Sequence, residues 1–270
     1  MKHVRALKAE PPLLRKYRST NPNEQLRPTT EATATWDAFK TDTNAYKQVL
    51  NRLTEAQQGL CVYCEQRIID ATGQRVPMDY QVEHVHPKSG AVGRVLSWKN
   101  LALACCGGTF PHHQDASRKY SSAANTSCGQ KKANGGLAFD PRRVPLLNPP
   151  IEVNVGGELI VNLSNCRSAG LNPKSVADAL ELLNLNCERL RKTRQDRRDN
   201  INTWLVPLLD GLLADAHLVP AQRQQTLGLL IAGRLQTDNF GSLRAWWTTE
   251  RNALGPDADF WISDNQGMFV

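Results

Sequence analysis

The chain has 270 residues and a formal net charge of +7, from 33 Lys and Arg against 26 Asp and Glu, and 40% of its residues are hydrophobic. That apolar content excludes a disordered chain, and no run approaches the roughly 20 consecutive apolar residues of a membrane span. The first residues, Met1-Lys-His-Val-Arg, lack the apolar stretch of a secretion signal, so a soluble cytoplasmic protein with no membrane partner is expected. In a reducing compartment the seven cysteines read as metal ligands or buried thiols, and an odd number cannot all pair within one chain.

In chain order, residues 1–55 form an N-terminal helical segment. It is polar and Pro-containing through Thr30, then helical from about Ala32, with Trp36, Phe39, Tyr46, Val49, Leu50 and Leu53 at roughly helical spacing. Residues 56–150 are rich in Gly, Cys, Asn and His and end at Leu146-Leu-Asn-Pro-Pro150. Residues 151–270 open with two alternating strands at about 151–163 around Gly156-Gly157, a pair that tolerates the positive φ of a tight turn. From Ser175 the pattern is helical, with Ser175-Val-Ala-Asp178 as a capping box and Val176, Ala179, Leu180, Leu183, Cys187 and Leu190 on one stripe. Further helices are expected over 200–214, where Pro207 kinks or breaks the run, over 220–236 and over about 240–252.

Charge is uneven along this order. Residues 51–150 hold 12 Lys and Arg against 7 Asp and Glu, whereas residues 201–270 hold 4 against 7. The positive excess in the N-terminal half fits a polyanionic partner, held by phosphate neutralisation and counterion release.

The same half carries the chemistry. Cys61-Val-Tyr-Cys64 has the spacing that lets two thiolates reach one tetrahedral Zn²⁺, and Cys105, Cys106 and Cys128 offer a second pair. Met78, Tyr80 and Val82 alternate with Asp79 and Gln81, so the segment reads as a strand running into Glu83-His84. Neighbours on a strand face opposite ways, so this pair converges on one site only if the strand ends or distorts there, which Pro87 and Gly90 allow. Neutral His84 suits taking a proton from water near pH 7, and Glu83 can hold a hard divalent cation whose shell substrate phosphates complete. A general base beside a carboxylate on a basic protein points to phosphodiester hydrolysis.

Glu83-His84-Val-His-Pro87-Lys88-Ser89, Asn100-Leu-Ala-Leu-Ala-Cys105 and Cys128-Gly-Gln-Lys131-Lys132, with Cys61 and Cys64, resemble the HNH endonuclease pattern. More narrowly, the Glu-His-x-x-Pro-Lys-Ser wording, the separated last cysteines, Leu147-Asn-Pro149 and Leu183-Asn-Leu-Asn186 resemble PtuB-like HNH proteins of Septu and retron-associated antiphage systems. The resemblance implies an α+β protein: a zinc-stabilised ββα-metal core over 56–150, with flanking helices and a C-terminal hairpin and helices. It implies His84 as general base, Asn100 fixing the loop that carries it, Glu83 holding catalytic Mg²⁺ or Mn²⁺, and structural Zn²⁺ on Cys61, Cys64, Cys105 and Cys128. Lys88, Lys131 and Lys132 would be phosphate contacts.

Implied partners are nucleic acid, DNA favoured and RNA such as tRNA also open, a PtuA-type ATPase, and a retron reverse transcriptase with its msDNA. The chain departs from the pattern at Gly129, where the family places a metal-ligating Asn, His or Asp. Gln130, Asn125, Asn134, His112, His113 or water are the alternatives for that position. If His113 bound zinc, Cys128 would be displaced. The rival reading is a zinc-containing module that binds nucleic acid or a partner without cutting it.

Overall fold

A computed structural model describes residues 9–70, 72–109, 122–145 and 148–219, with 221, 222, 225–227 and 229. The expected helices at 220–236 and about 240–252, and His112 and His113, lie outside those residues or largely so. The described chain is α+β, with eight helices and two small antiparallel sheets.

The N-terminal segment is more helical than its composition suggests. Helices α1 (Pro12–Thr20) and α2 (Pro22–Leu26) occupy the stretch expected to be irregular, because each begins with a proline, whose fixed φ suits the first helical turn and whose missing N–H costs nothing there. The single expected lead-in helix is two, α3 (Ala32–Thr41) and α4 (Thr43–Gln57), broken at Asp42. Asp42 leaves helical geometry and accepts the Ala45 N–H at 3.0 Å, acting as the N-cap of α4. Trp36, Phe39, Val49, Leu50 and Leu53 are buried as their spacing predicts, and Tyr17 of α1 meets Phe39 edge-on at 5.0 Å.

Strand β1 (Tyr80–His84) pairs antiparallel with β2 (Leu101–Cys105), placing Glu83 opposite Ala102 and His84 opposite Leu101. All five residues of β2 are buried, because both α4 and the short α5 (Cys128–Lys132) pack on it. The α4 contact is also polar: Gln57 at the helix end donates to Leu103 O at 2.8 Å and accepts from Leu103 N at 2.7 Å. This continues the strand's hydrogen bonding where, among the described residues, no third strand lies alongside it.

Beyond it, β3 (Ile151–Val153) pairs with β4 (Leu159–Val161). Their connection is longer than a two-residue Gly156-Gly157 turn. It runs from Asn154 to Glu158, closed by Asn154 N donating to Glu158 O at 2.9 Å, and of the two glycines only Gly157 has positive φ. Gly157 is also required sterically, since a Cβ there would sit 2.3 Å from Arg191 O.

Then come α6 (Leu163–Ser168), α7 (Pro173–Leu182) and α8 (Glu188–Ala214). The α7 cap is Asn172, which accepts from Lys174 N at 2.9 Å, rather than the predicted Ser175 box. The predicted stripe from Val176 to Leu190 is buried throughout, although it spans two helices. The expected helix at 200–214 is the second half of α8, which continues through Pro207. One apolar cluster runs from Leu14 to Leu190, so the three sequence regions share a core. Among the described residues no helix is long and apolar enough to cross a membrane.

Candidate active site and cysteine centre

Four cysteines separated in sequence meet in the interior. Cys61 and Cys64 lie in the turn after α4, Cys105 ends β2, and Cys128 opens α5. Their four sulfurs lie within 4.8 Å of one another, with Cys61–Cys128 at 3.9 Å and Cys64–Cys105 at 3.7 Å. These separations are far too long for a disulfide. They match the edge of a four-sulfur tetrahedron, about 3.8 Å for a Zn–S bond of ~2.3 Å, so the donor set fits one such ion.

Burial opposes ionisation of Cys61, but hydrogen bonds from Cys105, Cys128 and Cys64 overcome it and hold its thiol well below the ordinary range. The Cys105 thiol is pushed well above its own by the bonds it makes to Cys128, Cys61 and Cys64. A thiolate, not a thiol, is the ligand a metal takes, so a cation bound here would displace protons from these sulfurs. Outer donors are already placed: Gly107 N meets Cys105 Sγ at 3.4 Å and Ser127 Oγ meets Cys128 Sγ at 3.6 Å. Arg189 Nη2 in turn donates to Ser127 Oγ at 2.8 Å.

Cys106 is not in the cluster. Its Sγ bonds Met78 O at 3.3 Å, and burial beside Asp79 lifts its thiol to about 11. Cys166 and Cys187 are buried in the core, Cys187 as its place on the helical stripe predicts.

Glu83 and His84 do converge, because β1 ends at His84 and the chain turns away at Val85. Both line one cleft of about 270 Å³, together with Trp36, Gln81, Pro87, Lys88, Gly129, Gln130, Lys132 and Asn134. His84 is 9% exposed, and its Nε2 lies 2.9 Å from Val95 O. A carbonyl can only accept, so Nε2 carries the proton and Nδ1 keeps its lone pair. Burial is the main cause that lowers the imidazole to about 4, aided by the Lys88 and Lys132 charges, so the ring is neutral at pH 7. Trp36 of α3 packs edge-on against it at 4.7 Å.

Asn100 fixes the loop after His84. Its Oδ1 accepts from His86 N at 2.8 Å, and its Nδ2 donates to His86 O at 2.9 Å and Arg94 O at 3.3 Å. Its carbonyl accepts from Val85 N at 3.0 Å, so Asn100 holds the chain on both sides of the turn.

Glu83 is enclosed. Its Oε1 takes the Lys132 ammonium at 2.9 Å and the Tyr63 hydroxyl at 3.2 Å, while Oε2 faces the Gln81 amide at 3.5 Å. Burial raises its carboxyl above the ordinary value, with Lys132 the largest opposing influence. The lysines expected to meet phosphate are thus in three different settings. Lys88 lines the cleft, half-buried; Lys131 is exposed outside it; Lys132 is buried, bonded to Glu83 and to His84 O at 3.1 Å. The geometry of Lys132 is that of an internal counter-ion, because the turn of α5 that follows Gly129 aims it inward.

Of the alternatives for the Gly129 gap, Gln130 and Asn134 line the cleft, whereas Asn125 is buried outside that lining and accepts from Arg189 N at 2.9 Å. Three contributors escaped the sequence reading: Trp36, Tyr63 and Gln81. Two signals could have found the last two. Gln81 stands two residues before Glu83 and shares its strand face, and Tyr63 sits inside the Cys-x-x-Cys turn.

A strand ending in an acid–histidine pair, a partner strand ending in cysteine and a short helix opening on the last cysteine are features that support the HNH endonuclease class. Relatives agree. The chain is 29% identical over 213 residues to a protein of Escherichia coli named as a candidate HNH endonuclease of retron Ec83, covering 69% of this chain and 75% of that protein. It is 26% identical over 159 residues to the corresponding candidate of retron Vc95 in Vibrio cholerae, covering 57% of this chain and 65% of that one. No family model matches the chain.

Proposed function

We propose that this chain is a metal-dependent HNH endonuclease, built on a zinc-stabilised ββα-metal core at residues 56–150, that hydrolyses nucleic-acid phosphodiesters as a cytoplasmic effector of a retron or Septu-like antiphage system. One observation carries the reading: a neutral histidine with a bare Nδ1 and a buried carboxylate share one cleft beside a four-cysteine centre.

His84 takes the proton of the attacking water at Nδ1 while Val95 O holds Nε2–H and so fixes the tautomer. Asn100 holds the loop that sets the ring's place, and Trp36 walls off its other side. Glu83 would hold Mg²⁺ or Mn²⁺, which when bound supplies positive charge to the phosphate and the leaving oxygen. Lys88, which lines the cleft, would meet an incoming phosphate. Cys61, Cys64, Cys105 and Cys128 hold Zn²⁺ and so brace the strand end and the helix start that form the cleft.

DNA is the favoured substrate, and the working partners are a PtuA-type ATPase and a retron reverse transcriptase with its msDNA. The resemblance supports DNA and the ATPase, and the retron-associated names of the two relatives support the retron context. The test incubates purified protein, alone and with its ATPase, with labelled duplex DNA, single-stranded DNA and total RNA in Mg²⁺ or in chelator. Cleavage that needs Mg²⁺ and disappears in His84→Ala, with zinc content unchanged, is the expected result; equal cleavage by variant and wild type overturns it. The ion pair between Lys132 and Glu83 favours a second reading, a binding module without catalysis. Binding that persists in chelator with no product under either metal would select it.

A further inference from the structure

The space beside Gly129 is taken by two side chains of the neighbouring strand. A Cβ at position 129 would lie 2.3 Å from Glu83 Oε2 and 2.5 Å from Gln81 Nε2. Real side-chain carbons do not approach so closely, so the glycine is what lets Glu83 and Gln81 both face the cleft at this point. The two stand at i and i+2 on β1 and share one face by strand alternation.

The oxygens of Glu83 are unequal. Oε1 is occupied by Lys132 and Tyr63, whereas among the described residues Oε2 meets only the Gln81 amide, at a long 3.5 Å. Gln81 is itself tethered from the far side, its Oε1 accepting from Gln130 Nε2 at 2.9 Å. An oxygen with spare capacity beside a primary amide, on the wall of an open polar cleft, is a pair of hard donors held close together.

We infer that the divalent-cation site of this cleft is carried by the strand: Gln81 and Glu83 Oε2 are its protein ligands, and Gly129 makes the room for them. This rests on the nuclease reading above, in which Glu83 holds the cation. It replaces the helix-borne ligand that the resemblance leads one to expect at position 129 with a strand-borne one. Amide and carboxylate oxygens suit Mg²⁺ and Mn²⁺, which keep several waters and need few protein ligands.

Gln81 has to present Oε1 in place of Nε2, and its tether permits that. When its amide turns over, Nε2 faces Gln130, whose own amide turns to accept it, so the pair exchanges donor and acceptor without losing the bond. Gln130 is thus a positioning residue for Gln81.

The experiment measures Mn²⁺ binding by electron paramagnetic resonance and calorimetry on the zinc-loaded full chain, without substrate. Gln81→Ala is expected to weaken binding by roughly tenfold or more, with zinc content unchanged. Gln81→Glu is expected to retain or tighten it, which a merely structural role for Gln81 would not produce. Gly129→Ala is expected to weaken binding as Gln81→Ala does, because its methyl displaces Glu83 or Gln81. If Gln81→Ala binds Mn²⁺ like the wild type while Glu83→Gln does not bind it, this inference fails and the role of Glu83 stands. If Glu83→Gln binds like the wild type, the reading beneath it fails as well.

Discussion

Lys132→Met removes the ammonium from a pair that the fold has taken out of water. The two side chains are 1% and 9% exposed and 2.9 Å apart, and Lys132 also bonds His84 O at 3.1 Å and Ala133 O at 3.3 Å. Breaking one partner of a buried pair costs about 3–5 kcal/mol, because the other charge stays buried and uncompensated. Glu83 has an escape: it can take up a proton, and each unit by which its carboxyl then rises corresponds to about 1.4 kcal/mol.

The single variant should therefore lose about 3 kcal/mol near pH 7, a large share of the ~5–15 kcal/mol that stabilises a domain. The loss should shrink as pH falls, since a protonated Glu83 needs no counter-charge. Lys132→Met/Glu83→Gln removes both charges and keeps an acceptor for Tyr63, so it should recover at least about 2 kcal/mol of that loss. Urea denaturation of the zinc-loaded chains, followed by circular dichroism, measures all four corners of the cycle. A single variant within about 1 kcal/mol of wild type, or a double variant no better than the single, refutes the idea that Lys132 is the counter-ion of Glu83.

Other expectations concern the same region. Cys64→Ser should lose bound zinc together with soluble folded protein, read by metal analysis and size-exclusion chromatography; a folded, zinc-free monomer would show that the core does not need the ion. Asn100→Ala should cost about 2–3 kcal/mol, leaving His86 N–H unpaired, and should lower kcat more than KM; an unaltered kcat would separate Asn100 from the placing of His84. His84 has a folded value of about 4 against an ordinary 6.5, so between these the unfolded chain holds a proton that the folded chain does not. Its contribution is full above about pH 6.5 and is lost as pH falls toward 4, by up to about 3 kcal/mol relative to His84→Gln. A stability difference between the two proteins that stays flat over that range contradicts the burial of the ring.

Much of the site was legible because its residues are specified by chemistry at short range. Cys61-x-x-Cys64, the strand into Glu83-His84 and the alternating hairpin after Pro150 each carry their signal within a few residues, and their elements lie where expected. Long-range partners left no such signal. Trp36 reads as an ordinary core aromatic until α3 is seen to pack on His84, and nothing local to Lys132 says that its helix turn points inward at Glu83. The same holds for caps and breaks. Ser175 has the wording of a capping box, yet Asn172 starts the helix earlier because Pro173 fits its first turn. Propensity also misled at the N-terminus, where the prolines that suggested irregular chain begin helices instead.

The main-chain N–H of Cys128 is bonded to Leu183 O at 2.8 Å, and Cys128 has a φ of +57°, a conformation that a residue with a side chain adopts at a cost. The last sulfur of the cysteine centre is therefore held in place by a carbonyl that the ribosome adds much later, at the end of α7. A chain interrupted before residue 183 would carry all four cysteines and the complete acid–histidine motif, yet would lack the contact that steadies Cys128. Synthesis thus has an order built into it, in which the half that carries the four cysteines and the acid–histidine pair is finished as sequence well before it can be finished as structure. Shortening the C-terminal region is in effect an operation on the cysteine centre, and chains trimmed to the motif alone should be judged by how firmly they keep the four sulfurs together.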